Sequence, residues 1–377
     1  MIYFDNASTT FPKPDVVYEE MNDWLRQNNV NPGRGSYQAA IHATDKVLQT
    51  REKLATLFNI DNPLQIVFTA NGTEALNLAL KGLLNPGDHV ITTSMEHNSM
   101  IRPIISLSKY NIEHTIVQGN DAGIIHVEKI KEAILPHTKM IAMVHAYNVT
   151  GTIQNITEIG QLANQHDLLF LVDAAQTAGV FPIDVKQMNI DLLAAPGHKG
   201  LMGIQGTGFL YIREGLLLTP LKEGGTGSHS ENLEQPESMP QRYESGTLNT
   251  PGIVALGAAV NFILNVGVNE IFAHKEKIMN HFIDGLASLP IKVCGQPGLG
   301  VVSIAMEKFT PGDLSYLLDH AFNVATRSGL HCAPLAHQTI KTNKSGTVRF
   351  SFGYFNTIEE VDVALNALKK VCALDGD

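Results

Sequence analysis

Cysteine is scarce in this chain: Cys294, Cys332 and Cys372 are the only three among 377 residues. So small and odd a count excludes a fully paired disulfide framework and fits a reducing compartment. Long apolar runs are missing as well, since none approaches the ~20 residues that span a bilayer. Positive charge is in short supply: 27 basic against 37 acidic side chains leave a net charge of −10. That balance gives no electrostatic footprint for nucleic acid or an acidic membrane surface. No complete Gly-x-Gly-x-x-Gly or Walker sequence occurs, which removes the main support for a dinucleotide or nucleoside-triphosphate site. The first residues, Met1 to Asn6, lack the basic region and apolar core of a signal peptide, so a cytoplasmic location is expected. No metal site is expected either.

What is present describes an ordinary globular protein, with 44% hydrophobic and 17% charged residues and a length that suggests two domains. Its most informative stretch runs from Leu168 to Gly200. Leu168 to Val172 is apolar without alternation, the pattern of a strand buried on both faces of a parallel sheet, and it ends in Asp173. Ligands of open α/β sheets sit beyond the carboxyl ends of strands, so an acid there points at a ligand. Gln176 follows closely. A second apolar piece, Leu192 to Ala195, leads into Pro196-Gly197-His198-Lys199. Lys199 lies 26 residues after Asp173, enough for one strand-to-strand crossover. A lysine beside an acid at such an edge suits pyridoxal phosphate: the amine forms a Schiff base, and the carboxylate keeps the pyridine nitrogen protonated. The alternative is an acid that caps a helix and a lysine that faces solvent.

Elsewhere the chain alternates strand and helix. Residues 1–14 read as an extended arm. Val17, Met21, Trp24 and Leu25 mark one helix, and Ile41, Thr44, Val47 or Leu48, Arg51, Leu54 and Phe58 a longer one. Between them Asn31-Pro32-Gly33-Arg34-Gly35 is either a shaped loop with a lone charge or a solvated turn. The strand Gln65 to Thr69, the turn at Gly72-Thr73 and a helix bearing Leu76, Leu80 and Leu83 follow in the order that makes an anion site. A simple helix cap reads the same way. Further strands are expected at His89 to Thr93, Ile112 to Val117 and Met140 to Val144. These bring His97 and Asn148 to the edge that holds Thr73, Asp173 and Lys199. The expected fold is α/β: a mostly parallel central sheet with helices on both faces over residues 15–250, then a smaller α+β domain over 251–377. The polar stretch from Gly224-Gly225-Thr226-Gly227-Ser228 to Arg242 reads as a mobile or interface loop. In the smaller domain Thr310, Pro311 and Asp313 start a helix with Leu314, Leu317, Leu318 and Ala321 inward. Thr357 and Glu360 form a capping box for the last helix, with Val361, Leu365 and Leu368 inward.

Taken in order, Asp5-Asn6-Ala7, Gly72-Thr73-Glu74, Glu96-His97, Asp173-Ala174-Ala175-Gln176, Gly197-His198-Lys199, Ser245-Gly246-Thr247-Leu248-Asn249-Thr250 and Arg327-Ser328-Gly329-Leu330-His331-Cys332-Ala333 resemble the cysteine desulfurases of the class V aminotransferase family. The likeness covers nearly the whole chain. It implies the pyridoxal-phosphate fold of that family, with Lys199 in the Schiff base, Asp173 on the pyridine nitrogen, Gln176 on the ring hydroxyl oxygen and His97 stacked on the ring. Gly72, Thr73 and His198 would hold the phosphate, Asn148 would lie beside the ring hydroxyl, and Arg349 would clamp the substrate carboxylate. Thr247 would reach the phosphate of a neighbouring subunit, which implies a homodimer.

The same resemblance makes Cys332 the nucleophile that takes sulfur from L-cysteine, leaving L-alanine and a persulfide for an acceptor protein. A thiol needs a favourable neighbourhood to ionise, and Arg327 and His331 are close in sequence. Cys294 and Cys372 read instead as inert, buried thiols. The chain departs from the family pattern twice: Pro196 replaces a phosphate-binding hydroxyl, and Leu330 replaces a histidine. Alternative readings are a selenocysteine lyase, another class V aminotransferase or lyase, or a pyridoxal-phosphate-binding scaffold without turnover.

Overall fold

The computed structural model describes residues 1–33, 35–227 and 231–374. Arg34 and Ser228, which the sequence places in a shaped loop and a mobile or interface loop, lie outside them. Seven strands form the main sheet, in the order Ile66–Thr69, Gly208–Ile212, Leu192–Pro196, Leu169–Asp173, Thr138–Val144, His89–Thr93 and Glu113–Val117. Only Gly208–Ile212 runs antiparallel to its neighbours. The other pairings are parallel.

The unbroken apolar runs now have a cause. Along Leu169–Asp173, Leu169 and Leu171 face one helix layer while Phe170 and Val172 face the other. Leu192 and Ala194 alternate with Leu193 and Ala195 in the same way. Each fully buried large side chain contributes about 1.5–3 kcal/mol, so the strands are held from both sides and their carboxyl ends stay fixed. One layer contains the helix Gly72–Leu83, with Leu76, Leu80 and Leu83 buried, and Asn98–Leu107. The other contains Gln38–Phe58, Ile156–Gln165 and Thr250–Val266.

A second, four-stranded antiparallel sheet runs in the order Arg327–Gly329, Thr347–Ser351, Val301–Ala305 and Lys292–Gly298. The helices Val268–Leu286, Pro311–Phe322 and Ile358–Ala373 cover it. Thr357 and Glu360 form the capping box. The amino-terminal arm belongs to this unit: Ile2–Tyr3 pairs with Val324–Ala325, and Phe4 is fully buried against Phe350 and Phe352. Beyond Asn6 the arm crosses to the main sheet, where Thr9 and Thr10 bond the carbonyls of His198 and Lys199.

Several expectations need correction. Leu25, Ile41 and Leu48 are exposed, because Val17, Trp24 and Val47 meet the helix Thr250–Val266 and the sheet instead. Ala321 is exposed and Leu317 only half-buried, since Leu314 and Leu318 alone turn fully inward. The helix Thr250–Val266, assigned from sequence to the smaller domain, buries Ile253, Leu256, Val260 and Ile263 beneath the main sheet. We propose that the division falls at Gly267, whose φ of 93° ends that helix and lets the next leave at 80°. Among the described residues, no single helix is long and apolar enough to cross a membrane.

Candidate active site

Beyond the carboxyl ends of the central strands lies a cavity of about 200 Å³. Gly72, Thr73, His97, Asn148, Asp173, Gln176, His198 and Lys199 all line it, so eight of the residues singled out in the sequence converge. A larger cleft of about 560 Å³ opens elsewhere and is ringed by paired charges such as Asp61–Lys186 and Asp191–Arg213. Chemistry rather than size therefore identifies the site.

Lys199 is deeply buried, and its amine is pushed down to about 8, mainly by desolvation, with Asp173 acting in the opposite direction through its charge. Asp173 ends its strand, accepts the Ala175 N–H at 2.9 Å, and is raised above the usual carboxylate range, again by burial first. Such a lysine is a usable nucleophile and base near neutral pH. His97 caps the helix Asn98–Leu107: its Nδ1 accepts the Ser99 N–H at 3.1 Å. A backbone N–H only donates, so the ring proton sits on Nε2. Desolvation, helped by Lys199, lowers His97 to about 4 and keeps the ring neutral.

The helix Gly72–Leu83 points its first turn into the cavity, and Asn71 caps it by accepting the Glu74 N–H. His198, lowered to about 4 chiefly by burial, has an Nδ1 without a hydrogen-bond partner among the described residues. Helix dipole, hydroxyl and unpaired imidazole nitrogen together match a phosphate, and the lysine and acid match an aldehyde and a pyridine nitrogen. The residues therefore fit pyridoxal phosphate. Pro196 supplies no donor; its ring lies 3.1 Å from where a Cβ on Gly72 would stand. Gln176 donates its amide to the Ala7 carbonyl and Asn148 donates its own to the His331 carbonyl.

Three predicted residues lie outside the cavity wall. Arg349 is fully buried behind it, donating to the Asn148 carbonyl at 2.8 Å, to Asp5 at 2.6 Å and to Ser8 at 2.9 Å. Cys332 is exposed on a strained loop, with φ of 49° at His331 and 58° at Cys332. Its carbonyl accepts the Asn98 N–H at 2.8 Å, which ties the loop to the helix that His97 caps. Arg327 approaches the Cys332 sulfur to 3.5 Å, as the sequence suggested. His331 does not assist: its ring is buried on Thr347 and held neutral, at about 2, by desolvation. Cys294 is buried and Cys372 half-buried. Thr247 is exposed and remote from this cavity. Sequence reasoning missed Ser8, whose hydroxyl reaches both arginines; the only signal was its place after Asp5-Asn6-Ala7.

The fold and this lysine–acid cavity define an α/β enzyme of the aminotransferase kind. A sequence model of the class V aminotransferases matches residues 2–364, and the chain belongs to that family. A probable cysteine desulfurase of Methanothermobacter thermautotrophicus is 34% identical, aligned over 99% of this chain and 95% of its own length. A cysteine desulfurase of Escherichia coli O127:H6 is 31% identical, over 100% and 94%. The apo structure of cysteine desulfurase from Thermococcus onnurineus superposes with a TM-score of 0.92 at 32% identity, over 98% of this chain and 94% of that one. These homologues and structural neighbours are cysteine desulfurases, and the class V family depends on pyridoxal phosphate.

Proposed function

We propose that this chain is a cysteine desulfurase that binds pyridoxal phosphate and L-cysteine. The observation that carries this reading is an exposed cysteine tethered beside a cavity that already holds a buried lysine and acid. Lys199 would hold pyridoxal phosphate until the substrate amine displaces its own amine, and the group would supply an electron sink for charge developing at the substrate Cα. Asp173 holds the pyridine nitrogen protonated, and Gln176 and Asn148 orient the ring. Gly72, Thr73 and His198 hold the phosphate. Arg349 binds the substrate carboxylate through its planar fork.

Lys199, lowered toward neutrality, takes the Cα proton, and neutral His97 stacks on the ring with its Nε2–H available to donate. The Cys332 sulfur then attacks the substrate sulfur; the substrate Cβ–S bond breaks with its electron pair passing to the carbon skeleton, which takes up protons and leaves as L-alanine, while the sulfur stays on Cys332 as a persulfide. Exposure of Cys332 leaves that persulfide open to a sulfur-acceptor protein. We further propose a homodimer, in which Thr247 serves the partner's phosphate; exposed Leu48 and Leu64 line a recess with Gly246 and Leu248 beside it. A cytoplasmic location follows as part of the same proposal.

The test is cysteine-dependent sulfide and alanine production. Cys332→Ser should keep the cofactor colour and lose sulfide output by a factor of about 100 or more, the scale of removing a nucleophile. Unchanged output would remove Cys332 from the mechanism, and absence of output in the wild type would remove the desulfurase reading.

A further inference from the structure

Arg327 and Arg349 stand directly opposite each other across two antiparallel strands. Like charges at such positions repel, so something must hold them together. The arm provides it. The Ser8 hydroxyl accepts from Arg327 Nη1 at 3.1 Å and from Arg349 Nη2 at 2.9 Å, and donates to Asp5 Oδ1 at 2.8 Å. A hydroxyl has two acceptor sites and one proton, so its capacity is fully used. Asp5 also accepts from Arg349 Nη2 at 2.6 Å and is the one carboxylate paired with it among the described residues. The other end of Arg327 reaches the Cys332 sulfur.

We propose that Ser8 is a positioning residue that couples the placement of Cys332 to the carboxylate clamp, by fixing Arg327 and Arg349 through one shared hydroxyl. The proposal rests on the desulfurase reading above and extends it. In this arrangement Asp5 occupies the face of Arg349 that a substrate carboxylate seeks, and Ser8 transmits any shift of that guanidinium to Arg327. Arg327 Nη2 donates to the Cys332 sulfur at 3.5 Å, so the same shift moves the group that orients the sulfur and screens it from reagents. The chain of contacts is continuous, from Asp5 through Ser8 and Arg327 to Cys332, and every member is short and polar.

Two measurements on the holoprotein test it without turnover. Alkylation of Cys332 by iodoacetamide at pH 7.5, followed by peptide mass spectrometry, reads the thiol; the change in visible absorption on adding L-alanine reads the clamp. Ser8→Ala should speed alkylation and weaken L-alanine binding, each about threefold or more. Ser8→Thr, which keeps the hydroxyl, should restore both. In an Arg327→Ala background, Ser8→Ala should speed alkylation no further. The proposal is overturned if Ser8→Ala moves only one readout or neither, or if it speeds alkylation equally with and without Arg327. Because neither readout requires sulfide release, a chain that bound cofactor but failed to desulfurate cysteine would still show whether Ser8 couples the thiol to the clamp.

Discussion

Pro196 shows how one residue trades a polar contact for a steric one. It ends its strand without a hydroxyl or an N–H, and its ring closes on Gly72 at the start of the helix that faces the cavity. A Cβ at position 72 would stand 3.1 Å from Pro196 Cδ and 3.3 Å from its nitrogen, tighter than ordinary contact. In the proposed cofactor site, the groups left to anchor a phosphate are the helix-terminal N–H groups, Thr73 and His198. A hydrogen bond to a charged group contributes about 1.5–3 kcal/mol. Pro196→Ser should therefore tighten pyridoxal phosphate binding by roughly tenfold or more, whereas Gly72→Ala should weaken it. Titration of the apoprotein, followed by absorbance, measures both; equal affinity in wild type and Pro196→Ser would mean that the phosphate does not reach this position.

At the scale of elements, the segment before the helix Thr250–Val266 is anchored by Glu244. Its carboxylate receives Arg51 from the helix Gln38–Phe58 at 2.6 Å and the Phe68 N–H of the neighbouring strand at 2.6 Å, with both charged side chains nearly buried. Arg51 also lies 4.4 Å above the Phe68 ring. Removing one member of a buried pair leaves the other charge uncompensated, a loss of about 3–5 kcal/mol. Glu244→Ala should lower the denaturant midpoint accordingly, and Glu244→Gln, which keeps an acceptor, should lower it less. An unchanged midpoint would mean that the pair does not hold the segment.

The central strands Leu169–Asp173 and Leu192–Pro196 were legible because their burial on both faces writes itself as unbroken apolar runs, whereas the edge strand Glu113–Val117 is only partly buried. The smaller sheet was not: Lys292–Gly298 contains Gly295, Pro297 and Gly298, and its burial is irregular, so no period marks it as a strand. The cavity was legible because strand ends collect its residues from short local motifs. The tie between Ser8 and Arg327 spans 319 positions and leaves no local trace. His331 was misread for the same reason, since proximity in sequence to Cys332 says nothing about where its ring packs.

Across the whole molecule, buried titratable groups set how stability depends on pH. Burial lowers six histidines from 6.5: His97, His198 and His337 to about 4, His145 to about 3 and His331 to about 2, with His89 lowered in the same direction. Below pH 6.5 the unfolded chain takes up protons that the folded chain refuses, so their contribution is lost as pH falls from 6.5 toward 4. Glu96 acts in the opposite sense. Fully buried between Thr93 and the Val144 N–H, it is raised from 4.5 to about 8, chiefly by desolvation. The folded chain keeps that proton while the unfolded chain releases it, so stability is lost as pH rises from 4.5 to 8. Between 4.5 and 6.5 the lowered histidines outweigh Glu96 and Asp173, which burial also raises. Above 6.5 the unfolded histidines progressively lose their protons, so the histidine contribution levels off while that of Glu96 continues to fall. Lys13, Lys199 and Lys275, lowered to about 8 by burial first, begin to lose their protons in the folded chain as pH 8 is approached, which offsets Glu96 there. Stability should therefore rise steeply from pH 5 to 6.5 and more slowly from there to 8, where Glu96 acts against the other groups. Glu96→Gln keeps an oxygen for the Val144 N–H but has no proton to release, so it should steepen the rise between 6.5 and 8 while leaving the acid limb in place. Denaturant unfolding of both proteins at pH 5, 6.5 and 8 measures this, and parallel curves above pH 6.5 would show that Glu96 is ionised in the folded chain.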